Sequence, residues 1–328
     1  MGERVVTVLG AGSWGTALAL VLARSGRTVR LVARSDEQAE YMHVARENSR
    51  YLPGIRLPDN LIVTANTVEA LQGTVACVYA LPCAAADEIL PVLSEGDYTV
   101  IAACKGLHPT TLERTDQVLA RYIDLSRIAL LSGPSFALEV AQGQPTAITM
   151  AASSIARAEA AAALFDDTSF RIYSSDDLIG VAMGGALKNV IAIAAGMADG
   201  LGFGHNSVAA AVTRGLAEMA RLTSACGGRY ETVMGLSGLG DLVLTCTGEL
   251  SRNRRFGAAI AQGSGVEEAV EGIGQVVEGV RTAAAADRLA VKLDIELPLM
   301  QMVHRVLCGS VPLQEAVHGL MSRPERVE

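Results

Sequence analysis

A strand-like run of five residues, Val5–Leu9, four of them apolar, leads straight into Gly10-Ala11-Gly12-Ser13-Trp14-Gly15, and an apolar stretch continues to about Arg24. VVTVL is short and, apart from Thr7, apolar, as a strand covered on both faces must be. Leu18, Val21 and Leu22 fall at i, i+3 and i+4, on one face of a helix. Gly26 ends that helix, and Thr28–Val32 supplies a second strand. Strand, glycine-rich turn, helix and strand within about 30 residues is the context in which G-x-G-x-x-G acquires meaning. Gly10 permits a tight turn, Gly12 lets backbone approach a pyrophosphate, and Gly15 lets the helix pack against the sheet. The helix start adds unpaired N–H groups and the positive end of a dipole. The turn predicts a dinucleotide site; the alternative is a structural glycine turn.

Further strand-like runs follow at Leu61–Thr64, Val75–Tyr79, Thr99–Ala102 and Ile128–Leu131, separated by helical or loop segments. Such alternation predicts a parallel sheet with helices on both faces. Ala147–Met150 and Arg171–Tyr173 are candidate edge strands. Beyond residue 176 helical spacing takes over, at 177–198, 207–225, 253–262, 266–271, 279–290 and 296–308. The expected fold class is α/β. A Rossmann-type, doubly wound, mostly parallel sheet occupies 1–178, and an all-helical substrate-binding domain occupies 179–328. The tail Ser322–Glu328 is polar and expected to fray.

Composition narrows the function. Half of the residues are apolar and 19% are charged, which supports a large core and excludes general disorder. A net charge of −8 argues against a general nucleic-acid or anionic-membrane surface. An anionic substrate therefore needs a local basic pocket. Cys77, Cys83, Cys104, Cys226, Cys246 and Cys308 form no C-x-x-C pair, and they are expected to be reduced core residues. The five histidines show no metal-ligand spacing, so no metal is expected. The apolar run 178–198 is interrupted by Lys188 and Asn189, and Glu3 with Gly10 makes the N-terminus a poor signal peptide. A cytoplasmic protein without membrane insertion is expected.

The chain has 24 arginines but only three lysines, Lys105, Lys188 and Lys292. Arginine keeps its proton in proteins, whereas a desolvated lysine can release one. Lys188 lies mid-helix among small apolar residues, so its pKa must fall or it must find a carboxylate. It is a candidate general acid/base, or else half of a structural ion pair. Asp241, at the end of the glycine-rich loop Gly235–Gly240, is its candidate partner.

Lys105 follows the strand Thr99–Ala102, on the side where open parallel sheets bind ligands, unless it is a plain surface lysine. Gly133 and Ser135, in LSGPSFA, can offer turn donors or simply turn the chain. Ser251 can cap a helix whose first turn carries Arg252, a place for a phosphate or a solvated basic turn. Arg34, at the end of the second strand, can pair with the 2′-phosphate of NADP, while Asp36 keeps NAD open.

These segments together resemble one family, the bacterial-type NAD(P)-dependent glycerol-3-phosphate dehydrogenases. The resemblance is carried by GAGSWG, LPGI at 52–55, CKGL at 104–107, GPSFA at 133–137 and ALKNVIAIAAG at 186–196. TRG at 213–215, GLSGLGDLVLTCTG at 235–248, SRN at 251–253 and VVEGV at 276–280 extend it through both halves. It implies interconversion of dihydroxyacetone phosphate and sn-glycerol 3-phosphate with NADP or NAD, supplying glycerophospholipid synthesis. It implies that Lys188 gives and takes the proton at the substrate C2 oxygen. Lys105, Gly133, Ser135, Asp241, Ser251, Arg252 and Asn253 are then substrate contacts. Gly10, Gly12, Ser13, Trp14, Gly15, Arg34, Tyr51, Lys105, Ala137, Arg252, Val276 and Glu278 are cofactor contacts.

Two positions depart from the family. Cys104 stands where a threonine is usual, and His205 where an aspartate is usual. The expected partner is a small phosphorylated molecule, without nucleic acid; a homodimer stays open. Two other readings are a related two-domain dehydrogenase acting on a non-phosphorylated acid and a non-catalytic NADPH-binding sensor.

Overall fold

The computed structural model describes residues 5–322. The expectations for Glu3 and for the tail beyond Ser322 lie outside the described residues. Two compact units emerge, one of Met1–Lys105 with Glu113–Ala182, the other of Gly106–Leu112 with Met183–Glu328.

The first unit holds an eight-stranded sheet. Its strands are β1 (Val5–Leu9), β2 (Thr28–Val32), β5 (Leu61–Thr64), β6 (Thr74–Tyr79), β7 (Thr99–Ala102), β8 (Ile128–Ser132), β9 (Thr146–Ala152) and β10 (Phe170–Ser175). β3 (Glu47–Asn48) and β4 (Leu52–Arg56) form a separate antiparallel hairpin that the apolar pattern does not announce. The order β5-β2-β1-β6-β7-β8-β9-β10 winds outward in both directions from β1. Chain direction across the sheet therefore reverses between β1 and β6, the switch point where such sheets bind ligands.

β1, β2, β5, β6, β7 and β8 run parallel. Leu9, Val32 and Tyr79 stand level at their carboxyl ends. β9 departs from this pattern: it is antiparallel to β8, and it lies inside the sheet, with β10 as the edge. The helix between β8 and β9 has only five residues, Ala137–Ala141. The whole connection, residues 133–145, is shorter than the parallel crossovers 103–127 and 153–169. Leu18, Leu22, Val6, Val8 and Leu31 are fully buried where α1 (Ser13–Arg24) covers the sheet.

The second unit is helical. Its centre is α3 (Leu178–Gly200), whose first turns belong to the first unit. α3 is long and apolar enough to cross a membrane, but 89% of its most apolar window is buried. Val190, Ile191 and Ile193 are all fully buried, as expected of a helix apolar on every side. α4 (His205–Ala225), α5 (Asp241–Thr247), α6 (Arg252–Ala261) and α7 (Glu278–Leu293) touch it, and α8 (Pro298–Leu307) packs on α4 and α7. A methyl group at Gly184 of α3 would stand 2.7 Å from the Ser237 carbonyl, so glycine is what admits this neighbour. The segment before α5, expected as a loop, is a π-helical turn, Leu236–Gly240.

Candidate active site

The glycine-rich turn has the geometry that its sequence requires. Gly10 has φ +106°, a conformation that suits glycine. A methyl group at Gly15 would lie 1.9 Å from the Gly10 carbonyl oxygen and 3.2 Å from Ala80 Cβ at the end of β6. Gly15 thus serves the turn itself as well as the approach of helix to sheet. Gly12 faces open space, since a Cβ there would meet nothing within 4 Å. It is also the N-cap of α1, with no side-chain cap and no acidic residue in the first turn. The α1 N–H groups and dipole thus face a cradle with room for a pyrophosphate, and these residues fit a dinucleotide.

Neighbouring residues fix this cradle. Ser13 Oγ donates to the Tyr51 carbonyl at 2.7 Å, which brings two candidate cofactor residues together. Trp14 Nε1 donates to the Ala103 carbonyl at 3.0 Å, just past β7. Arg34 is exposed at the end of β2. Ala137 opens the helix after the β8 turn.

The same unit gathers three candidate substrate residues. The Gly133 carbonyl accepts from Lys105 Nζ at 3.0 Å and from Ser135 Oγ at 3.0 Å. Cys104, in place of the family threonine, donates its thiol to Thr115 Oγ1 at 3.9 Å.

In the second unit Lys188 finds its carboxylate. Lys188 Nζ lies 2.7 Å from Asp241 Oδ1, and both side chains are nearly out of solvent, at 9% and 2% exposure. Nζ also donates to Thr245 Oγ1 at 2.7 Å. The Thr245 hydroxyl donates in turn to the Asp241 carbonyl at 2.6 Å, one turn back along α5. An ammonium so deep in protein is stable only with such partners. Burial pushes the nearby Cys246 thiol up to about 12, with Lys188 pulling the other way, so it stays a neutral thiol and is no rival base.

A second chain of hydrogen bonds starts one residue on. Asn253 Nδ2 donates to Asn189 Oδ1 at 2.9 Å, and Asn189 Nδ2 reaches Glu278 Oε2 at 3.5 Å. Asn253 Oδ1 accepts the Gly279 N–H at 3.0 Å, in the first turn of α7. Ser251 caps α6 by accepting the Arg254 N–H at 3.2 Å. Arg252 Nη1 donates to Gln275 Oε1 at 3.3 Å, which ties the SRN block to the segment carrying Val276 and Glu278. Val276 itself is exposed. His205, in place of the family aspartate, is exposed at the start of α4.

One expectation needs correction. Only Cys77, Cys83 and Cys246 are buried; Cys104 and Cys226 are half-buried and Cys308 is exposed. Other residues of the site carry no sequence signal of their own. Asn48, Gln38 and Asn189 are neutral amides, and no spacing marks their hydrogen bonds. Thr245 lies at i+4 from Asp241 on one helix, which was the available clue.

A nucleotide cradle at the switch point of a doubly wound sheet, followed by a helical unit with a buried Lys–Asp pair, defines a nucleotide-dependent dehydrogenase of two units. Comparison with known proteins narrows this. Residues 5–158 match the NAD-dependent glycerol-3-phosphate dehydrogenase N-terminus, and residues 177–318 match the corresponding C-terminus. A glycerol-3-phosphate dehydrogenase [NAD(P)+] of Moorella thermoacetica is 46% identical over 98% of this chain and 97% of its own. One from Halorhodospira halophila is 47% identical over 98% of both. The crystal structure of glycerol-3-phosphate dehydrogenase from Coxiella burnetii superposes with a TM-score of 0.93 at 40% identity, over 98% of this chain and 99% of that one. The chain belongs to the NAD-dependent glycerol-3-phosphate dehydrogenase family.

Proposed function

We propose that the protein reduces dihydroxyacetone phosphate to sn-glycerol 3-phosphate, reversibly, with NADPH or NADH, and so supplies glycerophospholipid synthesis. The observation that carries this reading is the buried Lys188–Asp241 pair, 2.7 Å apart, in a chain of this family. Bound reduced nicotinamide supplies the hydride that adds to the substrate C2 carbon. Lys188 supplies the proton to the C2 oxygen, so that C=O becomes CH–OH. Its ammonium also stabilises the negative charge that develops on that oxygen. Asp241 and Thr245 hold the amine in place and keep it charged before transfer. In the oxidative direction Lys188 takes the proton back.

The remaining assignments follow the same reading. Gly10, Gly12 and Gly15, with the N–H groups of Ser13 and Trp14, hold the pyrophosphate. Arg34 pairs with a 2′-phosphate, and Tyr51, Lys105, Ala137, Arg252, Val276 and Glu278 complete the cofactor contacts. Lys105, Gly133, Ser135, Ser251, Arg252 and Asn253 bind the substrate, the last three at its phosphate. The Ser251 oxygen accepts the Arg254 N–H as the α6 cap, and its O–H can still donate to the phosphate. The protein works in the cytoplasm without membrane insertion; the burial of α3 supports only that this helix is a core element and not a membrane span.

The test is loss of nicotinamide absorbance with dihydroxyacetone phosphate, run with NADPH and with NADH, and with unphosphorylated dihydroxyacetone as control. Turnover of the phosphate ester, far above the control, is expected. No turnover with either nucleotide, or equal rates with both substrates, would refute the proposal.

A further inference from the structure

The Ala11 carbonyl, in the middle of the glycine-rich turn, accepts two side-chain amides. Asn48 Nδ2 donates to it at 3.0 Å and Gln38 Nε2 at 3.3 Å. Asn48 comes from β3, is buried, and also donates to Thr16 Oγ1 of α1 at 2.8 Å. Gln38 comes from the first turn of α2 (Asp36–Ala45), where its own N–H donates to the capping Ser35 Oγ at 3.2 Å. Gln38 makes one contact that Asn48 does not: its Oε1 accepts the main-chain N–H of Arg34 at 3.2 Å. A single side-chain amide therefore joins the turn that fits a pyrophosphate to the backbone of the arginine that fits a 2′-phosphate.

We propose that Gln38 is a positioning residue for cofactor discrimination, setting the spacing between the pyrophosphate turn and Arg34. The inference rests on the dinucleotide reading above and extends it to a residue outside the G-x-G-x-x-G motif. In a dinucleotide the pyrophosphate and the 2′-phosphate are covalently linked, so their separation is limited by the ligand. An arginine pairs with a phosphate through directional N–H bonds, and it gains most when its backbone is held at the matching distance. Arg34 is exposed, so its side chain has little packing to hold it; the Gln38 bond fixes its main chain. NADH lacks the 2′-phosphate and does not sense that spacing. Asn48 shares the acceptor but not the contact with Arg34, which makes it the internal control.

The test is a set of NADPH and NADH dissociation constants, measured by calorimetry on the full chain. Wild type would be compared with Gln38→Met, Gln38→Ala, Asn48→Ala, Arg34→Ala and the double variant Arg34→Ala/Gln38→Met, with melting temperatures recorded. For Gln38→Met, which keeps length but neither bond, NADPH binding should weaken about three- to tenfold. NADH binding should change less than about twofold, because Asn48 still holds Ala11. Gln38→Ala should behave alike. Asn48→Ala should weaken both nucleotides by the same factor. In the double variant the Gln38 effect on NADPH should vanish, since its route runs through Arg34. Equal losses for both nucleotides in Gln38→Met, or additive effects with Arg34→Ala, would overturn the proposal. Failure of wild type to bind either nucleotide would instead overturn the dinucleotide reading itself.

Discussion

Replacing Lys188 with methionine separates the two roles assigned to that side chain. Methionine is close in length and apolar, so packing is largely kept while the ammonium is lost. Asp241, 1% exposed, would then keep a buried charge without its cation at 2.7 Å. Breaking one side of such a pair costs about 3–5 kcal/mol, because the remaining charge is uncompensated. For a unit of this size that corresponds to a fall in Tm of about 6–20 °C. The kcat should fall by about two to four orders of magnitude, the usual contribution of a positioned acid/base. Adding Asp241→Leu removes the stranded carboxylate. The double variant should regain most of the lost Tm, as apolar replacements of buried ion pairs do. It should regain none of the lost kcat, while nucleotide affinity stays near wild type throughout. Differential scanning calorimetry and the nicotinamide assay read the two quantities on the same samples. A Lys188→Met variant with wild-type kcat would remove Lys188 from the chemistry. A double variant as unstable as the single one would show that the ion pair is not what Asp241 contributes.

Two further outcomes are expected. Arg252→Ala should raise the KM for dihydroxyacetone phosphate at least about tenfold, the loss of a charged hydrogen bond; an unchanged KM would place the phosphate elsewhere. Glu218 is buried, and its carboxylate accepts the Leu299 and Met300 N–H groups of α8 at 2.7 and 3.0 Å. Burial raises its pKa, with those two bonds and Arg221 and Arg214 opposing. The native state thus holds this proton more tightly than the unfolded chain, so stability from Glu218 is full below the ordinary glutamate pKa and is lost as pH rises through the folded value. The Tm of wild type relative to Glu218→Gln should therefore fall as pH is raised from the ordinary glutamate range; a rising or flat difference would refute the sign.

What the sequence discloses depends on what an error would cost. The strand–turn–helix at Val5–Arg24 is legible because burial imposes a period and because a methyl group at Gly15 would stand 1.9 Å from the Gly10 carbonyl oxygen, which leaves room for glycine alone. The Lys188–Asp241 pair is legible because a lysine in an apolar helix needs an anion, and Asp241 stands between a glycine-rich segment and the apolar run Leu242–Leu244. The π-helical turn Leu236–Gly240 is not, since its glycines favour a loop over a helix. The β3–β4 hairpin is hidden as well: Glu47–Asn48 is too short and polar to alternate.

Its most consequential residue, Asn48, bonds to a main-chain carbonyl and to a threonine. The Gln38 side chain likewise bonds to main-chain atoms. Every residue has a main-chain carbonyl, so a neutral amide that seeks one leaves no mark in composition or spacing. Charged groups of a site declare themselves because burying them alone costs several kcal/mol. The amides that hold a cradle in shape cost about 1 kcal/mol each when misplaced, and they become visible only when the chain is folded.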